Sequence, residues 1–268
     1  LPGGPRFVWI PGGPLSNSKA PPLDELMANF HSDLERALGW CYVRCNLMER
    51  RDGAHAYALA RVMTRPWVSL NSGYSVLLDL TDDEAAWLNF IDGKHRYYVR
   101  KSRAAGLEWR YGDDDDVLRD LADLSTLMTR DKGLRSRGLG FDGLSRLRGL
   151  LSGGLRTLVG YLGSEAVTAC MVLRQGSGAF YANAATVGRG LEVSAAYAML
   201  AELRCRLREE GVTQLDFGGI DPLSADARGV DHFKRGFGGE AMEYLGEWEC
   251  GGRMVRVLGN LAIAVKRY

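Results

Sequence analysis

The chain has 268 residues, 46% hydrophobic and 25% charged, a balance that supports a sizeable core and excludes an intrinsically disordered chain. Its formal net charge is +1, with 34 Lys+Arg against 33 Asp+Glu, which excludes a uniformly basic nucleic-acid binder but leaves room for a local basic face. No apolar run approaches the roughly 18 residues that cross a bilayer. The five cysteines (Cys41, Cys45, Cys170, Cys205, Cys250) lack paired CxxC spacing, so neither a zinc site nor a disulfide framework is expected. They read as small buried hydrophobes in a reducing compartment, and Cys41 and Cys45 are not expected to pair. The opening LPGGPRFVWIPGGPL has neither the basic region nor the apolar segment of a signal peptide, so the expected address is the cytoplasm.

In chain order, Arg6–Ile10 is a short strand stopped by Pro11-Gly12-Gly13-Pro14. Leu23, Met27, Phe30, Leu34 and Leu38 then recur on one face of a helix that Gly39 ends, and Trp40–Leu47 reads as a strand. A second series opens with a strand at Tyr74–Leu80, and Thr81-Asp82-Asp83-Glu84 matches a capping box ahead of a helix carrying Trp87, Leu88 and Ile91. A basic helix at Lys94–Arg103 is closed by Gly106, and a strand follows at Leu107–Tyr111. Asp113–Asp116 is a helix start, because carboxylates favour the positive end of the helix dipole. Three strands with glycine turns fill 156–187, a helix follows with Tyr197, Leu200, Leu203 and Leu207 as its stripe, and after Gly211 the run TQLDFGG is a further strand. The fold class is α+β (mixed α/β), not a doubly wound nucleotide fold.

Generic catalytic signatures are missing: there is no G-x-S-x-G elbow, H-E-x-x-H or Walker A run. The histidines His31, His55, His95 and His232 stand singly and read as surface or packing residues, so no metal is expected. Three segments carry more. On the 94–103 helix, Arg96, Arg100 and Arg103 share a face beside aromatic rings, either a phosphate- or RNA-binding stripe or a plain solvated face. Arg130–Phe141 reads as a helix breaking into an arginine-rich loop suited to phosphate oxygens. LDFGGID (215–221) and DHFKRGFGGE (231–240) combine glycines, which let backbone approach closely, with a lysine framed by two phenylalanines. Asp216 is read as support for the Gly218 turn, with general base as the alternative.

LDFGGI, HFKRGFGGE and the following strand with Gly-Glu-Trp resemble the C-terminal signature of the Fem family, the aminoacyl-tRNA-dependent peptidyl transferases that build peptidoglycan cross-bridges. HRYYVRKSRAAGLEW is similar to that family's R-x-x-x-R-K helix, VWIPGGPL to its N-terminal strand and Gly-Pro turn, and TRDKGLRSR to its R-D-G-F…R segment. The resemblance implies tandem GNAT-like acyltransferase lobes: a partial first lobe over 1–72, apparently shortened at its start, and a second over 73–268, whose segment 241–268 could pack back on the first. It implies transfer of an amino acid from aminoacyl-tRNA to an amine of a peptidoglycan precursor or, as in antibiotic-tailoring relatives, a peptide natural product. Aminoacyl-tRNA is then a co-substrate, and no other cofactor is needed. Lys234 and Phe233 match the family's catalytic pair, and Arg137 its arginine for the acceptor's phosphates. Phe141 stands where the family has Tyr, and Asn183 where a substrate-contacting Tyr is expected; with Tyr181 they complete the implied acceptor site. Arg96, Arg100, Lys101 and Arg103 are the implied tRNA contacts.

Two other readings remain at this stage. An acyl-CoA-dependent N-acyltransferase of the same fold would cradle pyrophosphate with an R/Q-x-x-G-x-G/A loop between strand and helix. Here the corresponding stretch is TVGRGLEVSAAY, 186–197, whose arginine-led spacing does not match. A non-catalytic module that binds RNA or a cell-wall precursor is the third reading.

Overall fold

The computed structural model describes residues 6–13, 21–133, 139–225 and 227–267. Its elements follow the expected order: β1 (Arg6–Ile10), α1 (Leu23–Leu38), β2 (Cys41–Arg50), α2 (Gly53–Ala60), β3 (Tyr74–Asp79), α3 (Glu84–Phe90), α4 (Gly93–Arg103), β4 (Glu108–Gly112) and α5 (Asp115–Asp131). There follow α6 (Phe141–Leu150), β5 (Leu155–Leu162), β6 (Glu165–Gln175), β7 (Gly178–Thr186), α7 (Arg189–Glu192), α8 (Ala195–Glu209), β8 (Gln214–Ile220), α9 (Arg228–Arg235), β9 (Glu240–Cys250) and α10 (Arg253–Arg267). The chain folds as two compact units, one of Leu1–Ser75, Gly219–Arg228 and Ala241–Tyr268, the other of Val76–Gly218 and Gly229–Glu240. No helix among the described residues is long and apolar enough to cross a membrane. All five cysteines are free, and four are buried.

In the first unit β1 runs parallel to β2, and β9 antiparallel to β2. Gly39 ends α1 at φ +73°, its N–H donating to the Glu35 carbonyl at 2.8 Å. The buried face of α1, Leu23 and Met27, joins Val43, Leu47, Leu59 and Trp248 in one core. Beneath it lies a polar core. Arg44 is wholly buried and donates to Glu247, whose other carboxylate oxygen accepts from the backbone N–H groups of Leu70 and Asn71. Glu249 accepts from the Tyr42 hydroxyl at 2.6 Å and the Asn260 amide at 2.7 Å.

In the second unit β4, β5, β6 and β7 form an antiparallel meander, β8 lies parallel to β7, and β3 neighbours β8. Helix α5 buries Val117, Leu118 and Leu121 against Leu155, Val159 and Met171 of the meander. Its start is the acidic cluster expected to cap a helix, with the Asp114 carboxylate accepting from Asp116 and Val117 N–H. The capping box at Thr81–Glu84 is not made. The Asp79 carboxylate takes both the N–H and the hydroxyl of Thr81, at 2.7 and 2.6 Å, so the cap passes to Asp83, which accepts from Ala86 N–H. Glu84 instead pairs with Arg103.

One departure from regularity shapes the second unit. β7 and β8 pair at three positions, Gly178↔Gln214, Ala179↔Leu215 and Phe180↔Asp216. β7 continues on β6 as far as Thr186↔Thr168 without β8 beside it, so a wedge opens between the two parallel strands.

Candidate active site

The wedge encloses a cavity of about 420 Å³, lined by Tyr181–Thr186 of β7, Phe217 of β8, Met199 of α8, and Phe233 and Lys234 of α9. Most of its wall is apolar, the usual make-up of a small-molecule site with few polar groups to orient the ligand. Lys234 supplies one of those groups. It is half-buried, and desolvation pulls its pKa below the ordinary lysine value while the charges of Asp216 and Asp231 oppose the shift. Its ammonium lies 5.9 Å from the centroid of the buried Phe217 ring.

The Gly218 turn brings backbone to this point. Gly218 has φ +79°, and a side chain there would stand 3.2 Å from the Tyr181 carbonyl and 3.5 Å from the Lys234 ammonium. Its N–H donates to the Asp216 carboxylate at 2.8 Å, the supporting bond expected of Asp216.

The turn that carries Phe233 and Lys234 is held from outside its own helix. The last carbonyls of a helix lack intrahelical donors; here the end of α9 and the two residues beyond it meet donors from α3, α4 and the Asp92 N-cap of α4. Trp87 Nε1–H donates to the Phe237 carbonyl at 3.1 Å, Asp92 N–H to that of Gly236 at 3.1 Å, and His95 Nε2–H to that of Phe233 at 3.0 Å. Because a carbonyl only accepts, His95 Nε2 carries a proton in this contact. The segments 94–103 and 231–240, read from sequence as separate motifs, are thus one structural element. None of Trp87, Asp92 and His95 was expected at the site. The signal that could have found His95 is the glycine of FKRGFG, since a Cβ on Gly236 would lie 2.0 Å from the imidazole. Around this contact the rings pack edge to face: His95 on Phe237 at 5.0 Å, Phe233 on Phe237 at 5.1 Å, and Tyr197 on Phe233 at 5.1 Å.

Tyr181 and Asn183, expected in the acceptor site, both line the wedge. Burial raises the Tyr181 hydroxyl well above its ordinary pKa, and the Asn183 amide donates to Ser125 Oγ at 3.2 Å. Phe141 is not among the wedge-lining residues. It opens α6, packs on the α5 core and lies 4.5 Å beneath the Arg119 guanidinium. Arg137 lies outside the described residues. Of the basic stripe, Arg96 donates to the Leu88 and Asn89 carbonyls and Arg103 pairs with Glu84, while Arg100 and Lys101 are exposed. The geometry thus gives two of the four cations work within the fold.

Between β7 and α8, where a pyrophosphate cradle would present open backbone N–H groups, the chain bonds to itself. Gly190 N–H donates to Val187, Leu191 N–H to Gly188, Val193 N–H to Arg189 and Ser194 N–H to Leu191, closing the single turn α7. Gly190 is packed against β6, where a Cβ would lie 2.4 Å from the Val167 carbonyl.

Residues 93–235, from the start of α4 to the end of α9, match the family model described as an acetyltransferase (GNAT) domain. Comparison with curated protein sequences gives no match. Among solved structures the chain is similar to FemX, at 14% identity and TM-score 0.77 over 94% of this chain and 82% of that one. It is also similar to the C-terminal domain of a putative lysylphosphatidylglycerol synthetase from Agrobacterium fabrum, at 13% identity and TM-score 0.65 over 96% and 82% of the two chains. L-PGS from Bacillus licheniformis gives 14% identity and TM-score 0.59 over the same shares, 96% and 82%. At such identities the likeness establishes the fold, a Fem-like GNAT fold, as the FKRGFG resemblance implied.

Proposed function

Because the chain belongs to the acetyltransferase (GNAT) domain family, we propose that it moves an amino acid from aminoacyl-tRNA to an amine, forming a peptide bond. The observation that carries this reading is Lys234, a half-buried cation on the wall of an apolar wedge and beside a backbone turn made close by Gly218. An aminoacyl ester is already activated, so the protein needs no nucleophile of its own. It must align the attacking amine and stabilise the charge that develops on the ester carbonyl. With that carbonyl in the wedge, the Lys234 ammonium meets the oxyanion of the tetrahedral intermediate. The new C–N bond forms, the C–O bond to the ribose breaks, and the proton lost by the amine ends on the 3′-oxygen of the tRNA.

The closed 187–194 turn supports charged tRNA over acyl-CoA, because the N–H groups of Gly190, Leu191, Val193 and Ser194 are bonded to the chain's own carbonyls and so are withdrawn from a pyrophosphate. Arg100 and Lys101, exposed on α4, are the proposed contacts to the tRNA backbone, and Arg137 the proposed contact to acceptor phosphates. The acceptor is an amine of a peptidoglycan precursor or a peptide natural product. The similarity to a putative lysylphosphatidylglycerol synthetase adds phosphatidylglycerol to the acceptors to be assayed. The test supplies a pool of tRNAs charged with labelled amino acids, in parallel with labelled acetyl-CoA, together with acceptor extracts. Label leaving tRNA for an acceptor, and abolished by RNase, is the expected result. Label leaving only acetyl-CoA would replace the donor, and retention of full transfer by Lys234→Ala would remove the proposed role of the lysine.

A further inference from the structure

We infer that His95 is a positioning residue for Lys234, fixing through the Phe233 carbonyl the direction in which the lysine leaves the backbone. The inference rests on the proposed role of Lys234. Lysine has a flexible four-carbon stem, so an ammonium held at one place needs its root fixed. That root is the peptide joining Phe233 to Lys234, whose oxygen is the Phe233 carbonyl. In a continuing helix the N–H of Phe237 would take it, but Phe237 N–H turns to the Lys234 carbonyl at 3.4 Å. His95 Nε2–H takes its place at 3.0 Å, from a different helix.

The imidazole is itself held on several sides. It is 0% exposed. Its Nδ1 lies 3.4 Å from Asp92 Oδ1, the carboxylate that caps α4 by accepting from Lys94 and His95 N–H. Its ring meets the edges of Tyr197 at 5.2 Å, His232 at 5.4 Å and Phe237 at 5.0 Å, and it fills the notch left by Gly236. Such a side chain has one available position, so its hydrogen bond sets the peptide plane instead of following it. A phenylalanine keeps an aromatic ring of slightly larger size there and leaves the Phe233 carbonyl without the imidazole N–H, and this separates positioning from loss of packing.

The test labels the lysines as ¹³C-dimethylamines, assigns the Lys234 resonance by its disappearance in Lys234→Arg, and titrates it in wild type and in His95→Phe. The expected result is a Lys234 resonance that moves toward those of the exposed lysines in the Phe variant, with a titration midpoint raised toward theirs. Transfer should fall by about tenfold or more in kcat, the order of loss that small misplacements produce, with KM for charged tRNA within about twofold. A Lys234 resonance and midpoint unchanged by His95→Phe would overturn the inference. That readout needs no turnover, so it stands even if Lys234→Ala were to retain full transfer and the catalytic reading fail. Should the Phe variant not fold, the wild-type protein decides. His95 should show a slowly exchanging proton on Nε2, and a ring protonated only on Nδ1 would overturn the inference.

Discussion

In the first unit, the wholly buried Arg44 meets Glu247 through its Nε at 2.7 Å, and the same carboxylate gathers the N–H groups of Leu70 and Asn71. In the second, Lys234 is half-buried and stands on the wall of a cavity. The first charge is paired with one carboxylate, Glu247, and donates to the Val68 carbonyl; its role ends inside the fold, where it ties residues 68–71 to β2 and β9. The second has its pKa lowered by desolvation and faces space that a ligand can enter. If Lys234 acts as proposed, burial alone does not mark a functional charge; what marks it is burial at the edge of a cavity, with the backbone around it fixed by groups from other elements.

That contrast can be broken most forcefully in the first unit. Glu247→Ala leaves the Arg44 guanidinium buried without its carboxylate, and removal of one partner of a buried pair costs about 3–5 kcal/mol. Chemical denaturation should show a loss of that order, and a loss under about 1 kcal/mol would mean that the network is not structural. Gly236→Ala comes next. The added methyl would overlap His95, so a cost of about 1–3 kcal/mol is expected from overpacking. Activity should fall further than stability predicts, as read by kcat on the remaining folded protein.

A finer distinction is electrostatic. The ammonium is the form that stabilises an oxyanion, so single-turnover transfer should fall as pH rises through the Lys234 pKa. Because burial lowers that pKa, the fall should come below the ordinary lysine value of 10.5. Lys234→Arg, which stays charged, should move the limb upward; an identical pH profile in both proteins would assign the limb elsewhere. The smallest effect is expected at the exposed end of α4. Arg100→Gln and Lys101→Gln should each lower the slope of log affinity for tRNA against log salt by about 1, without changing the rate at saturation. The same changes at Arg96 and Arg103 should act through stability, because those side chains are bonded to Leu88, Asn89 and Glu84.

Much of this arrangement was legible in the sequence, and the parts that were not share a cause. Period and punctuation gave α1 with its Gly39 stop, α5 with its acidic start and the β5–β7 meander, because each is specified by residues adjacent along the chain. FKRGFG, by its resemblance to the Fem family, singled out Lys234, which lines the wedge. The capping box failed because Asp79, two residues before Thr81, competed for the same hydroxyl. The Arg96–Arg103 face was visible as a stripe, but the carbonyls and carboxylate that take two of its members come from α3. His95 appeared as one histidine among four. Its partner, the Phe233 carbonyl, is 138 residues away, and no local pattern carries a bond of that span.

The most direct measurement is single-turnover transfer from saturating charged tRNA by wild type and Lys234→Ala, with tRNA binding measured on the same two proteins. A lysine that stabilises the oxyanion predicts a rate loss of about 10²–10³, the cost of removing such a group, with tRNA affinity unchanged. Equal rates, or a loss that disappears at higher tRNA concentration, would contradict that role and leave the wedge as a binding site alone.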